Sequence, residues 1–166
     1  MRSDEYVLTR YEGQVTDGRS VSPVVECLLQ PPGPHLVWWL VVHRDSDTVI
    51  GGLRLNRHSG VTGRDVFGDS AVIDGVSVDP GHLRRGVATA LMRAVEAWLV
   101  DRPYLPRVIS LGVEVDNAPA VALYRRCGYV VRERDGEPVV ITGGNGPPCH
   151  VMYRHIAAPQ GRSGDV

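Results

Sequence analysis

The sequence of 166 residues contains no lysine, so all 18 of its basic side chains are arginine. Without a lysine amine, the chain has no Schiff-base nucleophile, no lysine general base and no lysine clamp for phosphate. The arginines are balanced by 19 Asp and Glu residues, and the formal net charge is −1. A nucleic-acid-binding protein needs excess positive charge to neutralise phosphates, so this balance argues against that class. It leaves open a local arginine cluster that holds one small anionic ligand.

Cysteine is scarce, and long apolar segments are missing. The three cysteines are far apart and odd in number, and no CxxC pair is present for zinc. We therefore expect no metal site, no disulfide framework and a reducing, cytoplasmic location. The longest apolar run, Leu36 to Val42, has seven residues, whereas a membrane span needs about 20. We expect a soluble protein with no membrane partner, because the first residues also lack the apolar core of a signal peptide.

Length and composition are those of an ordinary globular protein. Apolar residues make up 43% and charged residues 22% of the chain, which argues against disorder. Single domains typically have about 100–200 residues. We predict one domain over residues 1–156 and a flexible tail over residues 157–166.

Turn-forming residues divide the chain into short elements. The patterns predict strands at Tyr6 to Tyr11, Leu36 to His43, Thr48 to Leu55, Ser70 to Val78, Val108 to Val115, Tyr129 to Glu133 and Val151 to Ile156. Helices are predicted at Val21 to Gln30, from Val87 to a stop at Pro103, and from Ala118 to Cys127, with Gly128 at the end of the last. Loops are predicted at Asn56 to Asp69 and Gly143 to Pro148. This order predicts a mixed α/β (α+β) layered architecture.

The most informative segment runs from Val78 to Leu91 and reads VDPGHLRRGVATAL. It places a strand end, a turn and a helix start in succession, and the first N–H groups of a helix have no internal partners. Gly86 and Ala88 leave room for a phosphate, and Arg84 and Arg85 add positive charge beside it. The pattern indicates a pyrophosphate site, with a tight turn bearing solvated arginines as the alternative. It is not a Walker loop, which requires a lysine.

A second segment, DNAPAVALYRRCGY from Asp116 to Tyr129, follows the next predicted strand. Together the two segments resemble the GNAT superfamily of N-acetyltransferases. The first matches V-x-P-x-x-[RQ]-x-x-G-x-[GA] at Val78, Pro80, Gly86 and Ala88, and departs from it with Leu83 at the [RQ] position. The second matches N-x-x-A-x-x-[LF]-Y-x-x-x-G-[FY] at Asn117, Ala120, Leu123, Tyr124, Gly128 and Tyr129. The resemblance in element order covers roughly Thr48 to Ile156.

The resemblance implies a GNAT-like central mixed β-sheet, splayed between its two core strands and flanked by helices. It also implies acetyl-CoA as cosubstrate. The backbone of Val76, Ser77 and Val78 would bond the pantetheine arm, and Asn117 would contact that arm or a nearby water. The pyrophosphate would be held by the amides of Arg84, Arg85, Gly86, Val87, Ala88 and Thr89.

Acetyl transfer needs an acid, an oxyanion donor and a route for the amine proton. The resemblance implies Tyr124, beside the thioester sulfur, as the acid, and the backbone N–H of Val78 as the donor. The base is open: Val72 stands where many family members have glutamate. Asp74 has the same strand-face parity, and Glu114 lies on the neighbouring strand. Either carboxylate could instead be structural, Tyr124 could be a core aromatic, and ordered water could take the proton.

The resemblance therefore predicts an acetyl-CoA-dependent N-acetyltransferase. It would act on a primary amine of a small molecule or peptide, by direct attack in a ternary complex. One alternative is a noncatalytic acyl-CoA-binding module, which Val72 and Leu83 keep open. Another is a binding protein for a different phosphorylated ligand, supported only by the Arg84-Arg85 turn. The sequence leaves a homodimer open.

Overall fold

The computed structural model describes residues 1–2, 4–12, 18–29, 35–57, 70–102, 105–142 and 146–156. The strands are β1 (Tyr6–Tyr11), β2 (Ser20–Val21), β3 (Leu36–His43), β4 (Thr48–Asn56), β5 (Ala71–Val78), β6 (Val108–Glu114), β7 (Val130–Val131), β8 (Glu133–Arg134), β9 (Glu137–Pro138), β10 (Val140–Ile141) and β11 (Cys149–His155). The helices are α1 (Pro23–Glu26), α2 (Val87–Val100) and α3 (Ala118–Arg126).

Most strands join one mixed sheet in the order β1-β3-β4-β5-β6-β11-β10. Its long members are antiparallel to their neighbours except for β5 and β6, which run parallel. β3 and β4 are rich in β-branched and bulky apolar residues and are buried on both faces, as expected of central strands. This architecture confirms the predicted mixed α/β class.

Helix α2 covers one face of the sheet. Its residues Leu91, Met92, Val95 and Leu99 recur at helical spacing and are fully buried. They pack in the larger apolar cluster, which also contains side chains of β3, β4, β5 and β6. Among the described residues, no helix has the length and apolar character that crossing a membrane requires.

The opposite face of the sheet is covered by α1 and the turn that follows it. Val25 and Leu28 pack against Trp38 and Leu40 in a second apolar cluster. The indole N–H of Trp38 donates to the backbone oxygen of Leu28 at 2.8 Å. The two clusters place the core on both sides of β3 and β4.

The helix predicted from Val21 to Gln30 is wrong in extent. The structure has a single turn, α1, which begins at Pro23, and Val21 instead joins β2, parallel to β4. After Glu26 the backbone bonds of Leu28 and Leu29 span three residues, as in a turn. Gln30, Pro103, most of the predicted loop from Asn56 to Asp69, residues 143–145 and the predicted tail 157–166 lie outside the described residues.

The strand predicted from Tyr129 to Glu133 is also wrong in extent. Its apolar part is β7, which pairs with β11, and Glu133 begins β8, which pairs with β9. The turn between β8 and β9 is Asp135-Gly136, and both residues have positive φ. Asp-Gly is a preferred sequence for such a hairpin turn. The remaining predicted strands agree with the structure within a few residues at their ends.

The two core strands β5 and β6 separate after a short paired stretch. Within the described residues, their parallel ladder joins Ala71–Ile73 to Ile109–Leu111 and goes no further. On its other side, β5 stays paired to β4, with a bulge at which Asp74 has no partner in the register. The splayed sheet implied by the family resemblance is therefore present.

Candidate functional site

A groove of about 770 Å³ lies between the first turn of α2, helix α3 and the end of β5. The groove is lined by Val76 and Val78, by the turn residues His82, Leu83, Arg84 and Gly86, by Val87, Ala88 and Thr89 of α2, and by Asn117, Tyr124 and Arg126 on the α3 side, among others. The two sequence segments that carry the family resemblance therefore meet at one cavity.

The turn between β5 and α2 is held by Asp79. Its carboxylate accepts from the backbone N–H of Gly81 at 2.9 Å and from the hydroxyl of Ser22 at 2.6 Å. These bonds, led by the one from Ser22, lower the pKa of Asp79. Further along, Arg84 and Gly86 have positive φ, at 59° and 81°. Left-handed residues in a turn orient successive N–H groups toward a common concavity, which suits an anion.

The start of α2 provides amide donors at this groove. Gly86 is the N-cap and contributes no side-chain cap. The helical hydrogen bond that spans the junction runs from the Ala90 N–H to the Gly86 oxygen at 2.9 Å. The N–H groups of Val87, Ala88 and Thr89 precede that bond and have no partner within the helix. A Cβ on Gly86 would lie 2.7 Å from the Met1 nitrogen, so the turn has no room for a side chain there. The residues present fit a pyrophosphate.

The two arginines of the turn are oriented differently. Arg84 lines the groove. The Arg85 guanidinium lies 3.8 Å from the Glu5 carboxylate and borders a separate surface cavity with Met1 and Arg2. The backbone of Arg85 stays in the turn, but its side-chain charge is directed to the β1 side of the molecule.

Tyr124 is buried beside the groove on α3. Burial, with a smaller contribution from Cys127, raises the pKa of Tyr124 to about 12. The phenol is therefore protonated throughout the neutral range, as a general acid must be. Its ring lies 6.2 Å from that of Tyr129, a distance typical of aromatic packing.

Asn117 is the N-cap of α3. Its side-chain oxygen accepts from the Ala120 N–H at 3.1 Å, which satisfies one of the unpaired donors of that helix. Pro119 occupies the first turn. The same asparagine lines the groove, so its capping bond fixes its position there.

Beyond the paired stretch, the edge of β5 that faces β6 borders the opening between these two core strands. Val76 and Val78 line the groove, and both pack against the larger apolar cluster. Ser77 lies between them in the strand, so its side chain points to the opposite face. Within the described part of the chain, none of the three pairs with β6. Their backbone edge is therefore available to a ligand inserted between the strands.

The two candidate bases lie away from Tyr124. Asp74 lines a small cavity of about 40 Å³ together with Val72, Ser110 and Gly112, and its carboxylate lies 2.8 Å from the Arg54 guanidinium. Glu114 is exposed at the end of β6. Its strand neighbour Val113 is buried in the larger apolar cluster, so Glu114 points to the other face of the sheet. Both carboxylates therefore lie on the face opposite α2 and α3.

Two side chains at or next to the groove, those of Arg126 and Tyr6, were not predicted from the sequence. Arg126 lines the groove, and its position four residues after Ala122 and three after Leu123 could have placed it there. Tyr6 hydrogen-bonds through its hydroxyl to Nδ1 of the groove residue His82 at 3.1 Å. No local signal could have found this bond, because the residues are 76 positions apart. In the ranges that the structure describes, no group of three or more His, Cys, Asp or Glu side chains is arranged to hold a metal.

A family model described as the acetyltransferase (GNAT) family matches residues 6–129. The chain is 31% identical over 118 residues to a mycothiol acetyltransferase from Clavibacter sepedonicus, a match covering 71% of this chain and 34% of the relative. It is 38% identical over 85 residues to the L-amino acid N-acetyltransferase AaaT from Escherichia coli (strain K12), a match covering 48% of each. The chain thus spans half or less of the length of these curated relatives.

Solved structures share the fold. The ribosomal-protein-S18-alanine N-acetyltransferase from Escherichia coli superposes with a TM-score of 0.59 and 18% identity, covering 97% of this chain and 99% of that one. A streptothricin acetyltransferase homologue from Bacillus anthracis, solved with acetyl coenzyme A, gives a TM-score of 0.55 and 18% identity over 76% of this chain and 66% of that one. At these identities the likeness concerns the fold alone.

Proposed function

Because this chain belongs to the GNAT acetyltransferase family, we propose that it transfers the acetyl group of acetyl-CoA to a primary amine. The acceptor is a small molecule or a peptide, and the transfer is a direct attack in a ternary complex. The observation that carries the proposal is the single groove that joins the amides at the start of α2 to the Tyr124 phenol.

The amides of Arg84 to Thr89 hold the pyrophosphate in this proposal. They are supported by the positive φ of Arg84 and Gly86 and by the helix dipole. The exposed backbone edge of Val76, Ser77 and Val78 bonds the pantetheine arm as an added strand would, and Asn117 contacts the same arm. Acetyl-CoA supplies an acetyl thioester at the opening between β5 and β6.

The acceptor nitrogen forms a bond to the acetyl carbonyl carbon, and the carbon–sulfur bond breaks. Tyr124 donates its phenolic proton to the departing sulfur, and the Val78 N–H donates to the carbonyl oxygen. The proton lost by the amine passes to Asp74, to Glu114 or to ordered water. An amine must be neutral to attack, and alkyl ammonium groups have pKa values near ~10, so a proton route on the acceptor side is required.

The acceptor enters from the face of the sheet that carries Asp74 and Glu114. The exposed Glu114 carboxylate at that opening suits a cationic amine, because it favours the approach of positive charge. The relatives are consistent with this class, since one is named as an acetyltransferase of L-amino acids and another as one of streptothricin.

Two measurements test the proposal in sequence. Calorimetric titration with acetyl-CoA should give saturable heat, and its absence would overturn the proposal. A panel of amines should then be screened for release of free CoA thiol, with the purified protein and with the protein omitted. Saturable binding with no amine-dependent thiol release across a broad panel would favour a noncatalytic acyl-CoA-binding module instead.

A further inference from the structure

A hydrogen bond links the start of α1 to the turn that precedes α2. The Ser22 hydroxyl donates to the Asp79 carboxylate at 2.6 Å, although the two residues are 57 positions apart. Ser22 is only 5% exposed, so water competes little for this bond. The contact therefore joins two segments that β3, β4 and β5 separate in the sequence.

Ser22 does not use its hydroxyl in the way that its position predicts. It is the N-cap of α1, and the side chain of an N-cap serine normally accepts from an N–H of its own helix. Within the described residues, the Ser22 side chain makes no such capping bond. Its backbone is held independently, because the Ser22 N–H donates to the Val49 oxygen at 2.9 Å. A backbone anchored to β4 and a hydroxyl directed away from its own helix indicate a role at Asp79.

Asp79 uses its two carboxylate oxygens for two different segments. One oxygen accepts from Ser22, and the other accepts from the backbone N–H of Gly81 at 2.9 Å. With both oxygens bonded, the carboxylate is held in one orientation. The N–H of His82 also donates to the backbone oxygen of Asp79, at 2.9 Å. Asp79 is thus the residue at which the end of β5 becomes the turn that leads to α2.

The segment that contains Ser22 also contacts β5 before the turn. A Cβ added to Gly75 would lie 2.5 Å from the Leu28 side chain, so Leu28 packs directly on the strand backbone there. Gly75 immediately precedes residues 76–78, and Asp79 immediately follows them. Residues 22–28 therefore hold β5 at both ends of the edge that bonds the pantetheine arm in the proposed function.

We propose that Ser22 is a positioning residue for acetyl-CoA, which acts through Asp79 and does not touch the ligand. This inference rests on the proposed function. Among the described residues that line the groove, neither Ser22 nor Asp79 is found. The hydroxyl holds the Asp79 carboxylate against the Gly81 N–H, and this bond sets the path of the turn whose amides face the pyrophosphate. Without the hydroxyl, the binding of acetyl-CoA includes the cost of ordering the turn.

The first test compares Ser22→Ala with the wild type by calorimetric titration with acetyl-CoA. We expect the Kd to rise by about 3–10-fold, as the loss of one hydrogen bond to a charged group allows, with the same number of sites per molecule. A preparation that is merely less folded gives the opposite pattern, fewer sites with the wild-type Kd. With an amine from the panel, the KM for acetyl-CoA should rise and kcat should stay within about twofold of the wild type, because Tyr124 is unchanged.

A double-variant cycle tests whether Ser22 acts through Asp79. Asp79→Ala removes both bonds of the carboxylate and should raise the Kd by at least as much as Ser22→Ala does. The double variant should bind no more weakly than Asp79→Ala alone, because the hydroxyl has then lost the group on which it acts. Additive losses would overturn the assignment, since Ser22 would then act on the ligand site by another route.

The matched control is Ser70→Ala. Ser70 is fully buried, and its hydroxyl lies 3.0 Å from that of Ser110. It precedes β5 at the end of the strand remote from the turn. This variant removes the same atom from a similarly buried, hydrogen-bonded site and should keep the wild-type Kd. Urea denaturation of every variant establishes the conditions under which each is folded.

The outcomes separate this inference from the proposed function. A raised Kd in Ser22→Ala, the wild-type Kd in Ser70→Ala and no further loss in the double variant support the assignment. The wild-type Kd in Ser22→Ala would overturn it and leave the proposed function standing. An equal rise in Ser22→Ala and Ser70→Ala would also overturn it, because any buried hydroxyl would then have the same effect. No saturable binding by the wild type would overturn the proposed function and this inference together.

Discussion

The Arg54 guanidinium lies 2.8 Å from the Asp74 carboxylate, at the bulge where Asp74 has no register partner on β4. Both side chains are largely buried, at 17% and 19% exposure. The pair therefore links β4 to β5 just where the ladder between them is interrupted. It also means that one oxygen of Asp74 is already engaged, whereas Glu114 is exposed at the end of β6.

Replacing Asp74 by Asn should destabilise the protein. The change leaves the Arg54 charge largely buried without its counter-ion, which we expect to lower the free energy of unfolding by ~1–3 kcal/mol. Glu114→Gln, on an exposed side chain, should change it by less than ~0.5 kcal/mol. Urea denaturation of both variants measures this, and equal stability of the Asp74 variant and the wild type would contradict the importance of the pair.

The same two variants identify the proton acceptor. A general base contributes ~10²–10⁴ to kcat. We expect one of the two variants to lose kcat in this range, measured as the rate of CoA thiol release. If both variants keep the wild-type kcat, the proton leaves through ordered water.

Tyr124→Phe should lower kcat by ~10²–10⁴, the range for loss of a general acid, and leave the KM for acetyl-CoA nearly unchanged. Because the pKa of Tyr124 is raised to about 12, the wild-type profile should show no Tyr124 limb near neutral pH. Tyr129→Phe is the matched control. Tyr129 is buried in ring contact with Tyr124, does not line the groove, and has no hydrogen-bond partner for its hydroxyl among the described residues. Equal kcat values for the two variants would exclude the acid role.

Gly86→Ala should weaken acetyl-CoA binding and destabilise the fold. Gly86 has a φ of 81°, and an added Cβ would meet backbone at 2.7 Å. Gly136 has nearly the same φ, 84°, with nothing within 4 Å of an added Cβ. Gly136→Ala thus isolates the cost of the left-handed backbone, ~1–2 kcal/mol. Calorimetry should show a larger Kd for acetyl-CoA in the Gly86 variant and the wild-type Kd in the Gly136 variant. An unchanged Kd in the Gly86 variant would mean that the turn does not hold the ligand.

Glu96→Gln should change how stability depends on pH. Burial raises the pKa of Glu96, although Arg154 and Arg93 oppose the shift. The folded protein then holds this proton more tightly than the unfolded chain does. Its stabilising contribution is present below the ordinary glutamate pKa and is lost as the pH rises through the raised value. The difference in unfolding free energy between wild type and variant should therefore decline over that interval, and a constant difference would contradict the shift.

Local patterns predicted much of the fold. The apolar spacing from Val87 to Trp98 predicted α2, and the polar cap at Asn117 predicted the start of α3, because these signals lie within a few residues of each other. The helix expected from Val21 to Gln30 was wrong in extent because Val21 pairs with β4 and the chain after Glu26 forms turn bonds, so tertiary contacts override the local helical pattern. The short strands after Tyr129 were merged because a single apolar run does not show where its partner changes from β11 to β9.

The sequence predicted those parts of the candidate site that belong to the two motifs. It did not predict contacts between residues far apart in the chain. The turn and Tyr124 meet at one groove, as the two motifs imply. The orientation of Arg85 toward Glu5 depends on how β1 packs against the turn, and the engagement of Asp74 with Arg54 depends on a bulge. Neither contact has a local signal in the sequence.

The bulge at Asp74 also makes β5 sensitive to length. Ile73 and Val76 both pack with the larger apolar cluster, although an unbroken strand would direct them to opposite faces. Removing the extra residue would leave Ile73 and Val76 two positions apart, and a regular strand would still direct both to the cluster. Inserting one residue between them, with a single bulge kept, would exchange the inward and outward positions of everything that follows. Val76 and Val78 would then leave the groove, and Gly75 and Ser77 would replace them. A lineage could therefore lose the extra residue and keep its groove, but could not gain another.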